Sequence, residues 1–159
     1  MSRKGCAHSW SAARAISVAS ESRILEAGLA QLYAQALVAI ARADEQIELE
    51  EGLRLQQQID ARTGRPMPLE DLLLAEPLDP DALADQIRGT SGPFRGGSIH
   101  PGELARMIVV DAISVVLAKG YVSEREAQQI IRFATALGCT VEEVRAMSPH
   151  LAPWLGHLR

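Results

Sequence analysis

The chain has 159 residues, of which 47% are apolar, 23% charged and 4% aromatic, and its formal net charge is −4. This length suits one folded domain that needs no disulfide or metal to hold its core, and the composition excludes a disordered chain. Abundant alanine (24 residues) and leucine (19) favour helices over a β-sandwich or barrel, and the negative charge argues against nucleic acid as the partner.

The N-terminal 21 residues are predicted to form an extension that is either poorly ordered or contains a short amphipathic helix. This stretch lacks the apolar run of a secretory signal peptide. The longest apolar run, 107–118, is interrupted by Asp111 and Ser114 and is too short to span a bilayer. We therefore expect a cytoplasmic protein without direct membrane insertion.

Apolar residues at intervals of three and four predict a helix over 22–43 and a second helix over about 48–61. The second helix ends before Gly64 and Pro66, residue types that terminate helices. Four of its apolar residues are expected to face the core: Leu49, Leu53, Leu55 and Ile59.

A short helix is predicted over 69–74, and a further helix begins with Asp79 as N-cap and Pro80 as first helical residue and runs to about Ile87. The glycine-rich segment 89–97 follows. It is predicted to be a flexible connector, because no strand precedes it and it lacks the Gly-Lys-Ser/Thr ending of a phosphate-binding loop.

The most apolar helix is predicted over about 101–119 and is expected to be the buried central element. Two more helices are predicted over 123–138 and 140–148, before a C-terminal tail over 149–159. No segment has the pattern of a β-strand. The sequence therefore predicts an all-α, single-domain bundle of about seven helices.

An internal repeat relates the two ends of this bundle. A shift of 75 residues places 29–51 over 104–126. In each copy a long apolar helix ends at an alanine, a polar turn of seven residues follows, and the next helix has a glutamate in its first turn (Glu51 and Glu126). Two pseudo-symmetric helix-pair halves are therefore expected. They span about 25–62 and 101–147.

Residues 41–51, Ala-Arg-Ala-Asp-Glu-Gln-Ile-Glu-Leu-Glu-Glu, resemble the turn of the TerB-like family, which is associated with tellurite resistance and approximately reads Ala-x-Ala-Asp-Gly-x-Ile-x-x-x-Glu. Residues 118–126, Ala-Lys-Gly-Tyr-Val-Ser-Glu-Arg-Glu, are similar to a second copy, and 136–138 to the family's helix ending. The resemblance extends over about 25–147 and implies a TerB-like domain at 22–148.

The chain departs from the family pattern at one position in each turn. Glu45 stands where glycine is usual, and Lys119 stands where aspartate is usual. If the family's acidic positions gather a divalent cation, an ammonium at Lys119 either opposes that cation or satisfies the site internally through a salt bridge.

The resemblance implies a non-enzymatic helical interaction module, linked to tellurite resistance or general stress response and responsive to divalent cations. It also implies a protein partner associated with the membrane, and through it a location peripheral to the inner membrane. The alternative is a co-chaperone-like or regulatory protein-interaction domain without a metal role. No cofactor is required, and no catalytic constellation is visible in the sequence.

Asp44, Glu48 and Glu51 are the candidate metal ligands. Their spacing allows carboxylates to converge at a helix start, where hard oxygen ligands suit Ca²⁺, Mg²⁺ or Mn²⁺. The alternative for Glu51 is a capping box, in which a glutamate side chain bonds a backbone N–H three residues earlier. Ser123 and Glu126 match the capping-box pattern outright.

A charged residue, Asp111, lies in the middle of the most apolar helix, where an unpaired carboxylate is costly. It is either an inward ligand or acid/base, or the ion-pair partner of an arginine. Candidate partners include Arg42, Arg106 and Arg132. Cys139, after the helix-ending Gly138, is expected to be a small buried hydrophobe.

The stretches 44–51 and 70–85 carry five and six acidic residues and no basic residue. Such a surface is either simply solvated, or it docks a basic partner or collects cations.

Overall fold

The computed structural model describes residues 24–88 and 99–156, and the predictions for the N-terminal extension and for the connector at 89–97 lie outside these ranges. Within them the chain is helical and has no β-strand, so the prediction of an all-α bundle is confirmed. The α-helices are α1 (Ala27–Ala41), α2 (Leu49–Thr63), α3 (Leu69–Leu74), α4 (Pro80–Arg88), α5 (Pro101–Val116), α6 (Glu124–Ala136), α7 (Val141–Met147) and α8 (Ala152–Leu155). Three 3₁₀ turns cover Arg42–Asp44, Leu117–Lys119 and Pro149–Leu151.

The helices α1 and α5 form the centre of the bundle. Eleven of the 15 residues of α1 and ten of the 16 residues of α5 are buried, because both helices are apolar on most of their circumference. They pack against each other, and both also contact α2 and α6. As predicted, α5 is a buried central helix.

Several helices begin where side chains satisfy the free backbone N–H groups of a first turn. Asp79 accepts hydrogen bonds from the N–H groups of Asp81 and Ala82, which confirms it as the N-cap of α4. Capping boxes begin α6, at Ser123, and α7, at Thr140. The local sequence therefore determines these helix starts.

The helix α2 is rotated relative to the prediction. Leu55 and Ile59 are fully buried as expected, but Leu49 is 74% exposed and Leu53 is 59% exposed. The prediction that all four apolar residues face the core is thus wrong for the first two.

Two buried charged residues explain this rotation. Glu51 and Arg62 lie on the same face of α2 as Leu55, at helical intervals of three and four. Glu51 accepts a hydrogen bond from Lys119, and Arg62 donates to Asp111. Because each charge has its partner inside the bundle, the two ion pairs fix the inward face and turn the leucines outward.

The C-terminal residues also contribute to the core. Leu151, in a 3₁₀ turn, and Leu155, in α8, are buried, and α8 packs against α6 and α7. The helix α8 follows the predicted seven helices and begins within the predicted tail. In the two described ranges, no helix is both long enough and apolar enough to cross a membrane.

The turns that follow α1 and α5 have the same backbone path. Residues 42–48, called the first turn, and 117–123, called the second turn, each begin with a 3₁₀ turn and end at an extended N-cap residue. Between these, Glu45 (φ 66°) and Gly120 (φ 104°) both adopt the left-handed conformation. Equivalent positions are 75 residues apart, as in the sequence repeat, whereas pseudo-symmetry of the two whole halves remains a prediction.

Candidate functional site

The side chain of Lys119 lies between the helices that follow the two turns. Its Nζ donates hydrogen bonds to Oε2 of Glu51 at 2.7 Å and to Oε2 of Glu126 at 2.6 Å. The Lys119 side chain is only 4% exposed, and the two glutamate side chains are 1% and 0% exposed. The second turn is thereby joined to the N-terminal ends of both α2 and α6. Of the two roles expected for Lys119, the internal salt bridge is the one present.

Burial and charge act on this cluster in opposite directions. Burial alone would lower the pKa of Lys119, but the hydrogen bonds to Glu126 and Glu51 and the negative charges of these residues together outweigh burial and raise that pKa. Burial raises the pKa of Glu51 to about 7, with a smaller upward effect from Glu126 and an opposing effect from Lys119. Oε1 of Glu51 is buried and accepts no hydrogen bond from the described residues.

The two glutamates have different local roles. Oε1 of Glu126 accepts the N–H of Ser123 at 3.0 Å, and Oγ of Ser123 accepts the N–H of Glu126 at 3.2 Å, so the predicted capping box is confirmed. The capping interpretation of Glu51 is wrong, because Oε2 of its carboxylate binds Lys119 and Oε1 accepts no hydrogen bond from the described residues, including the backbone N–H of Glu48. Glu51 therefore serves a contact between elements rather than a local cap.

Asp44 links the first turn to the second. Its Oδ1 accepts a hydrogen bond of 2.8 Å from Oγ of Ser123, the N-cap residue of α6. Between the turns lies a cleft of about 340 Å³, lined by Asp44, Gln46, Glu48, Lys119, Tyr121 and Arg125. The ring of Tyr121 also lies 5.1 Å from Nζ of Lys119, within cation–π range.

The structure does not bring Asp44, Glu48 and Glu51 together as a ligand set. Glu51 is bound by the Lys119 ammonium, Asp44 by Ser123, and Glu48 is exposed. Across 24–88 and 99–156, no group of three or more histidine, cysteine, aspartate or glutamate side chains is placed to hold a metal ion. The physical reason at Glu51 is that an ammonium already supplies the positive charge its carboxylate requires.

Asp111 is held by donors from two other helices. Arg62 of α2 donates from Nε at 3.0 Å and from Nη2 at 3.3 Å, and the hydroxyl of Tyr33 in α1 donates to Oδ2. Burial and the adjacent Asp111 raise the pKa of Tyr33, so the phenol stays protonated and donates. The site is therefore an internal tie between α1, α2 and α5.

An arginine does pair with Asp111, but it is Arg62 rather than Arg42, Arg106 or Arg132. Arg42 donates to the carbonyl of Leu73, Arg132 lies 3.9 Å from Asp79, and Nε of Arg106 has no hydrogen-bond partner in the described parts of the chain.

Sequence reasoning missed Arg62 and Tyr33 as the partners of Asp111. The tyrosine could have been found, because a hydroxyl in a helix that is apolar all round needs a partner. The arginine could have been found only with the correct rotation of α2.

Cys139 is a free, buried cysteine, as its prediction as a small hydrophobe requires. Burial, with a smaller effect from Glu143, raises the pKa of its thiol. A thiol with a raised pKa forms little of the reactive thiolate at neutral pH.

Comparisons of the chain with protein-family models, curated proteins and solved structures gave no match. The TerB-like resemblance therefore rests on the residues of the two turns alone.

Proposed function

We propose that this chain is a TerB-like helical module that binds a protein partner and has no metal role. The observation that carries the proposal is the Lys119 ammonium, buried between the carboxylates of Glu51 and Glu126. It stands at the position where the family has aspartate, so the chain supplies from its own sequence the charge that a bound cation would bring.

Because the Lys119 ammonium is part of the chain, the contacts of the second turn with α2 and α6 keep their geometry whatever the concentration of divalent cations. The second turn stays joined to the start of α2 by Lys119 and to the first turn by the bond from Ser123 to Asp44. The exposed carboxylates of the first turn and of the start of α2 are then presented on a fixed frame. This supports a protein-interaction domain, regulatory or co-chaperone-like, over a cation sensor.

The proposal includes no chemistry on a substrate. The buried Asp111 carboxylate is bound by Arg62 and Tyr33, and burial keeps the Cys139 thiol protonated. Neither group is free to act as an acid, a base or a nucleophile. From the family resemblance we propose a role in tellurite resistance or general stress response, in the cytoplasm, with a basic or membrane-associated partner.

Capture of the partner with and without a chelator tests this function. The tagged full-length chain is added to lysate from cells of its source, in parallel with EDTA and with added Ca²⁺, Mg²⁺ or Mn²⁺, and the partners bound in each condition are then cross-linked and identified. We expect the same partner in both conditions. A partner that is lost with EDTA would overturn the metal-free role, and the absence of any partner in either condition would overturn the interaction role.

A further inference from the structure

The outer face of α2 carries residues at the spacing that a helix uses to bind another helix. Leu49, Leu53, Gln56 and Asp60 follow intervals of four, three and four, and they lie on the side opposite Glu51. We call these four residues the outer stripe. Both leucines are mostly exposed, at 74% and 59%.

The C-terminal half of the outer stripe borders a concave surface. A cavity of about 500 Å³ is lined by Gln56, Asp60, Gly64, Arg65, Pro66, Met67 and Pro68. The amide of Gln56 holds its wall in place: it donates to the carbonyl of Met67 at 3.1 Å and accepts the N–H of Leu69 at 2.8 Å. The stripe thus leads from two exposed leucines into a depression with a fixed shape.

Exposed carboxylates surround this surface. Glu48, the N-cap residue, and Glu50 flank Leu49 at the start of α2. The first residue of α3 contacts α2: the N–H of Leu69 donates to Gln56 at 2.8 Å, and a Cβ at Gly52 would be 3.9 Å from a methyl carbon of Leu69. That helix adds two further exposed acids at its start, Glu70 and Asp71.

Two arginines border the same surface. Arg54 donates from Nε and Nη2 to Oγ of Ser114, at 3.0 and 2.8 Å, and Arg65 lines the cavity. The surface thus carries five exposed carboxylates and two arginines, and it is negative around an apolar centre. The carboxylates are those of Glu48, Glu50, Asp60, Glu70 and Asp71.

Single exposed leucines are common on protein surfaces. Here one helix exposes two leucines a turn apart while it buries Glu51 and Arg62, the reverse of the pattern of an ordinary surface helix. Adjacent leucines next to a depression are the anchors that an amphipathic helix uses when it binds a groove. The surrounding carboxylates select the charge of that helix.

We propose that the outer stripe of α2 and its cavity bind a basic amphipathic helix of the protein partner. The apolar side of that helix covers Leu49 and Leu53, and its lysines or arginines lie against the carboxylates of α2 and α3. This inference rests on the proposed function, that the chain binds a protein, and specifies where the partner binds and what chemistry it has.

A labelled synthetic helix of about 18 residues, built from leucine and lysine with one apolar face, is the direct probe. Its binding to the full-length chain is measured by fluorescence anisotropy. The matched control peptide has glutamate in place of every lysine. We expect the basic peptide to bind, to bind more weakly as salt is raised, and the acidic peptide not to bind.

Variants then locate the binding surface. The double substitution Leu49→Ser with Leu53→Ser is expected to weaken binding of the basic peptide by about tenfold or more. The control is Leu74→Ser on α3, since Leu74 is an equally apolar side chain, 87% exposed, outside the stripe; its affinity should equal that of the wild type. Circular dichroism checks that both variants are folded.

Several results would overturn the proposal. The acidic peptide could bind as tightly as the basic one, or the double variant could bind the basic peptide as tightly as the wild type. Alternatively, sedimentation could show that the wild type is a dimer and the double variant a monomer, and a second copy of the chain would then be the occupant of the outer stripe. Capture of the same partner by wild type and double variant would overturn this site but leave the proposed function intact. Failure to capture any partner would overturn the proposed function itself.

Discussion

Lys119 donates a hydrogen bond of 2.7 Å to Glu51, a residue 68 positions earlier in the chain, and this ion pair joins the second turn to the start of the helix that follows the first. The same ammonium binds Glu126, so one cation serves two buried carboxylates. Ion pairs at this depth repay their loss of hydration only when their geometry is good, and they leave a large penalty when one partner is removed.

Lys119→Met tests this dependence. The change keeps an unbranched side chain only one atom shorter but leaves Glu51 and Glu126 buried without their cation. We expect the free energy of unfolding, measured by urea denaturation at pH 7, to fall by about 3–5 kcal/mol. The control is Arg125→Met, because the pair of Arg125 with Glu45 is 3.8 Å long and exposed, and such pairs contribute about 0–1 kcal/mol. Equal effects of the two substitutions would contradict the assignment.

The pH dependence of stability tests the state of Glu51. Its pKa is about 7 in the folded chain, against 4.5 for the unperturbed group, so the folded state binds this proton more tightly. The contribution of Glu51 to stability is therefore fully present below pH 4.5 and is lost as the pH rises through 7. We expect a loss on the order of 1–3 kcal/mol across this window.

Glu51→Gln removes the titrating group and provides the comparison. The difference in free energy of unfolding between wild type and variant should change between pH 5 and pH 8, because the wild type loses more stability than the variant as the pH rises. The pKa of Lys119 is raised from 10.5, so its own contribution is lost only above this window. A difference that stays constant from pH 5 to pH 8 would show that Glu51 titrates normally.

Asp111 gives a second buried test. Asp111→Asn leaves the Arg62 guanidinium buried without its carboxylate, and we expect a loss of about 3–5 kcal/mol in urea denaturation. Tyr33→Phe removes only one hydrogen bond to the same carboxylate and should cost about 1–3 kcal/mol. If the tyrosine substitution cost more than the aspartate substitution, Arg62 would not be the principal partner.

The sequence determines the helices of this bundle better than their rotation. Spacing and caps, such as Asp79 before Pro80 and Ser123 with Glu126, locate helix starts because those interactions lie within a few residues. For Lys119, the expectation came from the TerB-like resemblance instead: a lysine at the position where aspartate is usual had an internal salt bridge as one of its two expected roles.

The sequence does not reveal the partner of a buried charge when that partner lies far away along the chain. Arg62 is 49 positions from Asp111, and nothing in the local pattern of α2 indicates that an arginine and a glutamate face inward while two leucines face outward. The intervals of three and four residues fit a helix that buries the two leucines as well as one that buries Glu51 and Arg62. Only the packing of α2 on α5 and the second turn distinguishes them.

The left-handed residues of the two turns give a prediction about backbone strain. A Cβ at Gly120 would meet nothing within 4 Å, so Gly120→Ala tests conformation alone, and we expect a loss of about 1 kcal/mol in thermal denaturation. Glu45 adopts φ 66° with a side chain, so Glu45→Gly should be neutral or stabilise the chain by up to about 1 kcal/mol. A large loss on Glu45→Gly would mean that its side chain has an essential contact.

Lys119→Asp returns the second turn to the family pattern and tests whether the lysine replaces a cation. In the wild type, the ammonium occupies the space between Glu51 and Glu126, so Ca²⁺, Mg²⁺ and Mn²⁺ should leave the melting temperature unchanged relative to EDTA. In the variant, three carboxylates face one another without a counter-charge. We expect a lower melting temperature in EDTA and an increase of several degrees on addition of a divalent cation.

Lys119→Asn separates binding of a cation from simple screening of charge, because it removes the ammonium without adding a carboxylate. We expect its melting temperature to rise less than that of Lys119→Asp at the same cation concentration, and monovalent salt of equal ionic strength to leave the difference in place. A wild type stabilised as strongly as Lys119→Asp would show that cations bind despite the ammonium, and the metal-free role would then be wrong. Equal responses of the aspartate and asparagine variants would show that Lys119 does not stand in for a bound ion.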